Sequence, residues 1–286
     1  MKNKPRIAIV GLQHQGKVQA ACFADVGYDV VGIDEDKYKI NRLINGQSEL
    51  SEPGLDRLIQ KGVQSGRLQF SEEYDDGIQG ADFVFLSIDV SFNEKGLDLL
   101  SVFDIAREIS IYRDPDSILC VTTQVPVGTS ERLTDGLVAY IPEFLRPGQS
   151  VKNFMEADRI VIGSNNATVR KRVANLYAPF QRPILEMSLR SAEMSKHAHN
   201  AILATQISFI NEISNLCEKV DADVDDVAKA TKADNRVGAN SYLNPGWSLK
   251  NGHLIRDVRV LQKMGVENNC STALLDAVAL VDKGVK

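Results

Sequence analysis

The order strand, glycine turn, helix, strand, acidic residue at the start of this chain constrains its fold more than any later segment. Arg6–Val10 (RIAIV) is a short apolar run, and Gly11 follows it. Residues 17–26 space their apolar side chains as a helix does, Asp29–Ile33 (DVVGI) is a second apolar run, and Asp34 ends it. This is the opening of a dinucleotide-binding βαβ unit: glycines let the backbone approach a pyrophosphate, and the acid meets a ribose hydroxyl. Asp34 stands 34 − 11 = 23 positions after Gly11, near the spacing of about 20 that such units use. A carboxylate there favours NAD over NADP, because it repels a 2′-phosphate.

The glycine pattern is altered. In place of GxGxxG, Gly11 to Gly16 read GLQHQG. Gly11 still serves a tight turn, and Gly16 still lets helix and strand pack closely. Gln13 stands where the second glycine should be, so its side chain must point away or displace the cofactor. The motif alone allows either a working nucleotide turn or a βα turn that has lost its nucleotide.

Beyond the first unit the alternation continues. Strands are predicted at 68–70, 82–87, 117–122, 159–163 and 183–187. Helices are predicted at 37–45, 55–63, 74–79, 99–111, 126–140 and 168–178. Apolar strands alternating with helices predict an α/β fold with a doubly wound, Rossmann-like parallel sheet. This first domain covers residues 1–187. Residues 188–286 form a second, helical central domain: a long uninterrupted helix at 191–220 and then a small all-α region, with helices at 224–232, 258–264 and 272–281. Residues 234–238 (DNRVG) and 245–257 read as loops.

On the long helix Lys196 and Asn200 lie four residues apart and share a face. Lys supplies charge and Asn a directed N–H, so the pair suits an oxyanion; the plainer reading is a solvated Lys beside a packing Asn. Glu143, in the loop PEFLRPG at 142–148, is either a carboxylate that handles a proton or a water, or a surface acid.

Composition removes other classes. A net charge of −5 without any basic run argues against nucleic acid. No run reaches the length of a membrane span, and the start lacks a signal-like apolar stretch. Cys22, Cys120, Cys217 and Cys270 form no CxxC pair and each sits among apolar residues, which predicts buried thiols in a reducing cytoplasm. No metal-ligand spacing stands out.

In order along the chain stand NGQSELSEPGL (45–55), GRL (66–68), VPVGT (125–129), PEFLR (142–146), DRIVIG (158–163), AEMSKHAHNAILATQISFINEI (192–213) and DNRVG (234–238). With these the chain resembles the nucleotide-sugar dehydrogenases, the UDP-glucose and GDP-mannose 6-dehydrogenase family, over that family's first two domains. The resemblance implies oxidation of a nucleotide sugar at C6, with NAD, to a carboxylate. It implies that Lys196 and Asn200 hold an oxyanion, that Glu143 handles a proton or water, and that Asp257 lies near the catalytic centre. Phe144 and Leu145 would belong to the substrate loop, Arg236 would reach a substrate sugar, and Gln124 would lie at the cofactor. A homodimer through the 191–220 helix is also implied, with Ala198, Ile202, Thr205 and Phe209 in its seam, though the same stripe could pack on the first domain. The family's third domain, which holds the substrate's nucleotide, has no counterpart here.

The departures bear on chemistry. The family's cysteine lies in a GGSCxPKD pattern. Counting back from Asp257, His253 stands in its place. Gln124 replaces a threonine, Pro147 an acid, and Asp89-Val90 a Thr-Pro pair. Oxidising an aldehyde by the family's route needs a thiolate; alcohol to aldehyde does not, and an imidazole near neutral pKa could take the proton. The expectation is an NAD-linked, two-electron alcohol/carbonyl interconversion on a sugar or sugar nucleotide. A non-catalytic binding or assembly module, and a full sugar-acid-forming enzyme with its nucleophile from elsewhere, remain as alternatives.

Overall fold

The computed structural model describes residues 4–93, 96–249 and 252–284. The chain divides into two compact units, one up to Met194 and one from Ser195.

The first unit carries strands β1 (Arg6–Val10), β2 (Asp29–Ile33), β3 (Leu68–Ser71), β4 (Phe83–Leu86), β5 (Phe92–Asn93), β6 (Gly96–Leu97), β7 (Ile118–Val121), β8 (Val138–Tyr140), β9 (Ile160–Gly163) and β10 (Ile184–Met187). Its helices are α1 (His14–Asp25), α2 (Lys37–Ile44), α3 (Leu55–Gln64), α4 (Tyr74–Ile78), α5 (Leu100–Tyr112), α6 (Ser150–Met155) and α7 (Ala167–Tyr177). Eight strands form one sheet in the order β10-β9-β8-β7-β4-β1-β2-β3. Pairing is parallel except between β8 and β9, where Tyr140 meets Gly163 antiparallel. β5 and β6 make a separate hairpin.

Both faces of the sheet are covered, which is why the central strands read as unbroken apolar runs. Ile7 and Ile9 of β1 join one core cluster with Val18 and Cys22 of α1; Ala8 and Val10 join the other with Val102 and Ala106 of α5. Phe23 of α1 is fully buried among Tyr28, Phe85, Phe154, Tyr177 and Phe180, with ring centroids 5.2–6.1 Å away. The strand order reverses between β1 and β4, which opens a crevice at the carboxyl ends of the strands, the usual ligand position in such sheets.

The second unit holds the part of α8 (Leu189–Val220) beyond Met194, with α9 (Val224–Lys232), α10 (His253–Glu267) and α11 (Ala273–Gly284). Ala201, Ala204 and Ile207 of α8 pack with Ile255 and Val258 of α10 and Val278 of α11. A smaller cluster joins Ile210, Ala228 and Leu243.

Three expectations are corrected. The predicted 126–140 helix is one turn of 3₁₀ at Ser130–Arg132 and then strand β8. Thr134 Oγ1 accepts the Gly136 N–H and an Arg113 N–H, fixing a turn between them, and Val138–Tyr140 then pairs with β7. Residues 253–257, read as loop, are the first turn of α10. Gly252 occupies the N-cap without a side-chain bond, so the usual start signal is missing. Cys22, Cys120 and Cys217 are buried, but Cys270 is exposed, in the turn between α10 and α11 after Asn269 at φ 54°.

Phe23→Ala removes the ring on which five others converge. It should lower unfolding free energy by about 3–5 kcal/mol, read as a lower urea midpoint at unchanged slope.

Candidate functional site

At the glycine turn, backbone geometry shows which glycines are obligatory. Gly11 has φ +94°, and a Cβ there would lie 2.6 Å from Ile88 Cγ2 and 2.7 Å from the Ser87 carbonyl oxygen. A Cβ on Gly16 would lie 1.9 Å from the Gly11 carbonyl oxygen. Gln13 differs: it has φ −70° and ψ −159°, at the N-cap of α1, where any residue sits without strain. Its side chain makes no capping bond, and its Oε1 is buried without a partner among the described residues.

Asp34, at the end of β2, is a hub. Its Oδ2 accepts the Leu12 N–H at 2.8 Å, its Oδ1 accepts the Asp36 N–H at 3.1 Å, and Lys39 Nζ lies 2.8 Å from both oxygens. These residues fit a dinucleotide. Gly11 and Gly16 give close approach, the α1 N-terminus offers amides to a pyrophosphate, and Asp34 offers an acceptor to ribose, shared with Lys39. One condition attaches: a pyrophosphate only accepts hydrogen bonds, so the Gln13 carboxamide must present its NH₂ rather than Oε1.

The loops around the same sheet edge are pinned by buried carboxylates. Glu193 of α8, fully buried, accepts the Gly128 N–H at 2.5 Å and the Ser130 N–H at 2.8 Å, holding the loop after β7. Gln124, half-buried, lies at the start of that loop. Glu52, 8% exposed, accepts the N–H groups of Gly148 and Ser150. Burial pushes the Glu52 carboxyl up, but bonds from Gly148, Ser150 and His14 outweigh it and hold the pKa below the usual value.

Glu143 is half-buried, and its Oε1 accepts a hydrogen bond from Gln19 Nε2 at 3.0 Å, so α1 orients it. Phe144 lies under the Arg159 guanidinium, 4.1 Å from the ring centroid, and packs on one core cluster; Leu145 packs on the other. These two side chains anchor the loop from opposite sides.

In the second unit Lys196, Asn200, His253 and Asp257 come together. Asp257 is fully buried; its Oδ1 lies 2.6 Å from His197 Nδ1, and its Oδ2 accepts from Asn200 Nδ2 at 2.5 Å. His253, first residue of α10, keeps an exposed edge. Desolvation of its ring is the largest cause lowering its pKa, and the nearby cations Lys196 and Arg256 lower it further, against Asp257. Its imidazole is therefore neutral at pH 7. Arg236 stands apart: its side chain is 90% exposed and forks onto the Asp234 carboxylate.

Gln19, Glu52, Glu193 and His197 are site residues that reading the sequence did not single out. Glu52, Glu193 and His197 lie inside the quoted motifs, and His197 occupies a buried position between Glu193 and Ala204 on α8. A polar residue on the inward stripe of a helix was the available signal.

Residues 5–181 match the UDP-glucose/GDP-mannose dehydrogenase family, NAD binding domain, and residues 190–283 match the same family's central domain. The chain is 35% identical to the UDP-glucose 6-dehydrogenase YwqF of Bacillus subtilis (strain 168), over 96% of this chain and 65% of that protein. It is 34% identical to the UDP-glucose 6-dehydrogenase of Rhizobium meliloti (strain 1021), over 98% and 68%. It thus spans about two thirds of the length of these curated relatives. Among solved structures it superposes on a UDP-glucose dehydrogenase from the hyperthermophilic archaeon Pyrobaculum islandicum with a TM-score of 0.92 and 29% identity, covering 99% of this chain and 69% of that one. A GDP-mannose dehydrogenase from Pseudomonas aeruginosa gives 0.78 and 26%, covering 98% and 69%. With both domain matches in sequence order and a superposition over nearly its whole length, this chain belongs to the UDP-glucose/GDP-mannose dehydrogenase family.

Proposed function

We propose that the chain is an NAD-linked dehydrogenase that interconverts an alcohol and a carbonyl on a sugar nucleotide, a two-electron reaction. The observation that carries this reading is Asp257 held by His197 and Asn200, with Lys196 and His253 beside it. The names of the relatives, UDP-glucose 6-dehydrogenases, support a UDP-sugar as substrate class.

In this reading Gly11, Gly16 and Asp34 hold the dinucleotide, with Gln13 and Gln124 beside it. The bound nicotinamide supplies the hydride acceptor. The Lys196 ammonium and the second N–H of the Asn200 carboxamide stabilise the alkoxide that forms as the alcohol loses its proton. Neutral His253 takes that proton; in the first unit Glu143, oriented by Gln19, is a carboxylate able to accept one. In the same reading Arg236, on its exposed loop, meets a sugar from the surface.

In this reading the chemistry stops at the aldehyde, because His253 stands where the family's pattern has its cysteine. On α8 the one cysteine, Cys217, lies 217 − 200 = 17 residues beyond Asn200, roughly 25 Å along a helix. Without a thiolate there is no thiohemiacetal, and so no second hydride by that route. Formation of reduced nicotinamide with a panel of UDP- and GDP-sugars should give one equivalent per sugar. Lys196→Ala should lower kcat by about 10²–10³. Two equivalents per sugar would establish the acid-forming reaction instead, and no turnover together with no heat of NAD binding would establish a non-catalytic module.

His253 should titrate below 6.5 by NMR, and Lys196→Met should move it back up. A lowered imidazole pKa means that the unfolded chain binds more protons between the lowered value and 6.5. Stability should therefore fall as pH drops through that window, and His253→Gln should remove that slope.

The reading includes a cytoplasmic homodimer. No helix among the described residues is long and apolar enough to cross a membrane. Ile202, Phe209 and Leu216, seven residues apart on α8, are 53%, 52% and 57% exposed. Ala198 is exposed and Thr205 half-buried on the same stripe, the spacing of a helix seam. Phe209→Asp should convert a dimer to monomers in sedimentation velocity.

A further inference from the structure

Helix α1 meets the 142–150 segment at two levels. Near its middle, Gln19 donates to Glu143. At its first residue, His14 Nε2 lies 3.2 Å from Glu52 Oε1 and 3.1 Å from Ser150 Oγ. The same Glu52 carboxylate accepts the backbone N–H groups of Gly148 and Ser150 and the Ser150 hydroxyl at 3.1 Å. Glu52 is 3% exposed at its side chain and His14 28%, so the contact sits at the rim of the crevice with its acid inside.

The chemistry fixes the direction of these bonds. Glu52, held below the usual carboxyl pKa, is ionised at neutral pH and only accepts. His14 Nε2 therefore carries the hydrogen and donates it. The backbone N–H of the same residue lies in the first turn of α1, among the amides that a helix N-terminus offers to a phosphate. One residue thus touches the dinucleotide turn with its main chain and, through Glu52, the far end of the Glu143 loop with its ring.

The geometry points to His14 and Glu52 as positioning residues that hold the Glu143 loop in register with the dinucleotide turn, so that NAD binding and loop order favour each other. A phosphate drawn to the first turn of α1 fixes His14; His14 fixes Glu52; Glu52 fixes the amides of Gly148 and Ser150, five and seven residues beyond Glu143. Coupling of this kind is reciprocal: a change that loosens the loop must weaken NAD to the same degree. The inference rests on the reading of the glycine turn as an NAD site.

Amide hydrogen exchange across 142–150 and calorimetric titration with NAD test it, on the full chain, for the native protein, His14→Phe and Glu52→Gln. In the native protein NAD should slow exchange at Gly148 and Ser150. His14→Phe keeps a ring at a partly exposed site but loses the donor. It should speed exchange at those two amides about tenfold in the free protein, the scale of one lost charge-assisted bond, abolish the NAD-dependent slowing, and weaken NAD by the factor by which the slowing is lost. Glu52→Gln should do the same at the loop while α5 amides stay protected; if it fails to fold, the His14 variant carries the test. Heat of NAD binding with unchanged exchange at Gly148 and Ser150, or a His14→Phe protein that keeps the slowing, overturns the coupling alone. No heat with the native protein overturns both the coupling and the cofactor reading.

Discussion

A backbone N–H with no partner in a strand or helix has to find an acceptor, and in this protein the loops at the sheet's carboxyl edge find theirs in carboxylates. Asp34 takes the N–H groups of Leu12 and Asp36, Glu52 those of Gly148 and Ser150, and Glu193 those of Gly128 and Ser130. Each acid sits on a different segment from at least one amide it binds, so each ties two stretches of chain together. Leaving the two fully buried amides, those of Ser130 and Ser150, bare would cost about 1–3 kcal/mol apiece. Removing the acid would therefore release the loop before it unfolded the sheet. The sheet supplies the platform; these acids decide where the loops lie on it. Asp257 in the second unit plays a related part with side chains, holding His197 and Asn200.

The sheet was legible because its residues obey one simple rule each. β1, β2, β4 and β7 are buried on both faces and so read as apolar runs whatever their neighbours. β8 was not legible. Its three residues are short, and the preceding Ser-Glu-Arg-Leu has helix-forming character, so local propensity pointed to helix. The strand exists because Leu119, Cys120 and Val121 offer an unpaired edge to 138–140, a tertiary fact with no local trace. The first turn of α10 was hidden for the opposite reason: glycine at its N-cap gives no side-chain signal.

The candidate site was legible where a residue's type declares its use. Lys196 and Asn200 on one helix face, Asp34 after a strand, and Glu143 in a Pro-flanked loop stand out by chemistry and spacing. Glu52 and Glu193 did not, because their partners are backbone amides 63 to 98 residues away. Nothing in a local window distinguishes Glu52 from the exposed Glu49 near it. Gln19 was concealed by its place on a helix whose inward residues, Lys17 and Gln19 apart, are small or apolar; burial and the contact with Glu143 separate it from a surface glutamine.

Where the chain departs from its family's pattern, the backbone tolerates the change. Gly11 and Gly16 cannot be replaced without driving a Cβ into a neighbouring carbonyl, and both are kept. Gln13 sits at φ −70°, where the lost glycine contributed space rather than conformation. His253 sits at the first position of a helix, where the backbone makes no demand on residue type beyond a helical φ and ψ. At Gln13 and His253 the change falls on side-chain space and chemistry, while Gly11 and Gly16, fixed by main-chain geometry, are kept. At position 253 an imidazole stands where the family's pattern has a thiol, on a helix start whose backbone accepts either side chain.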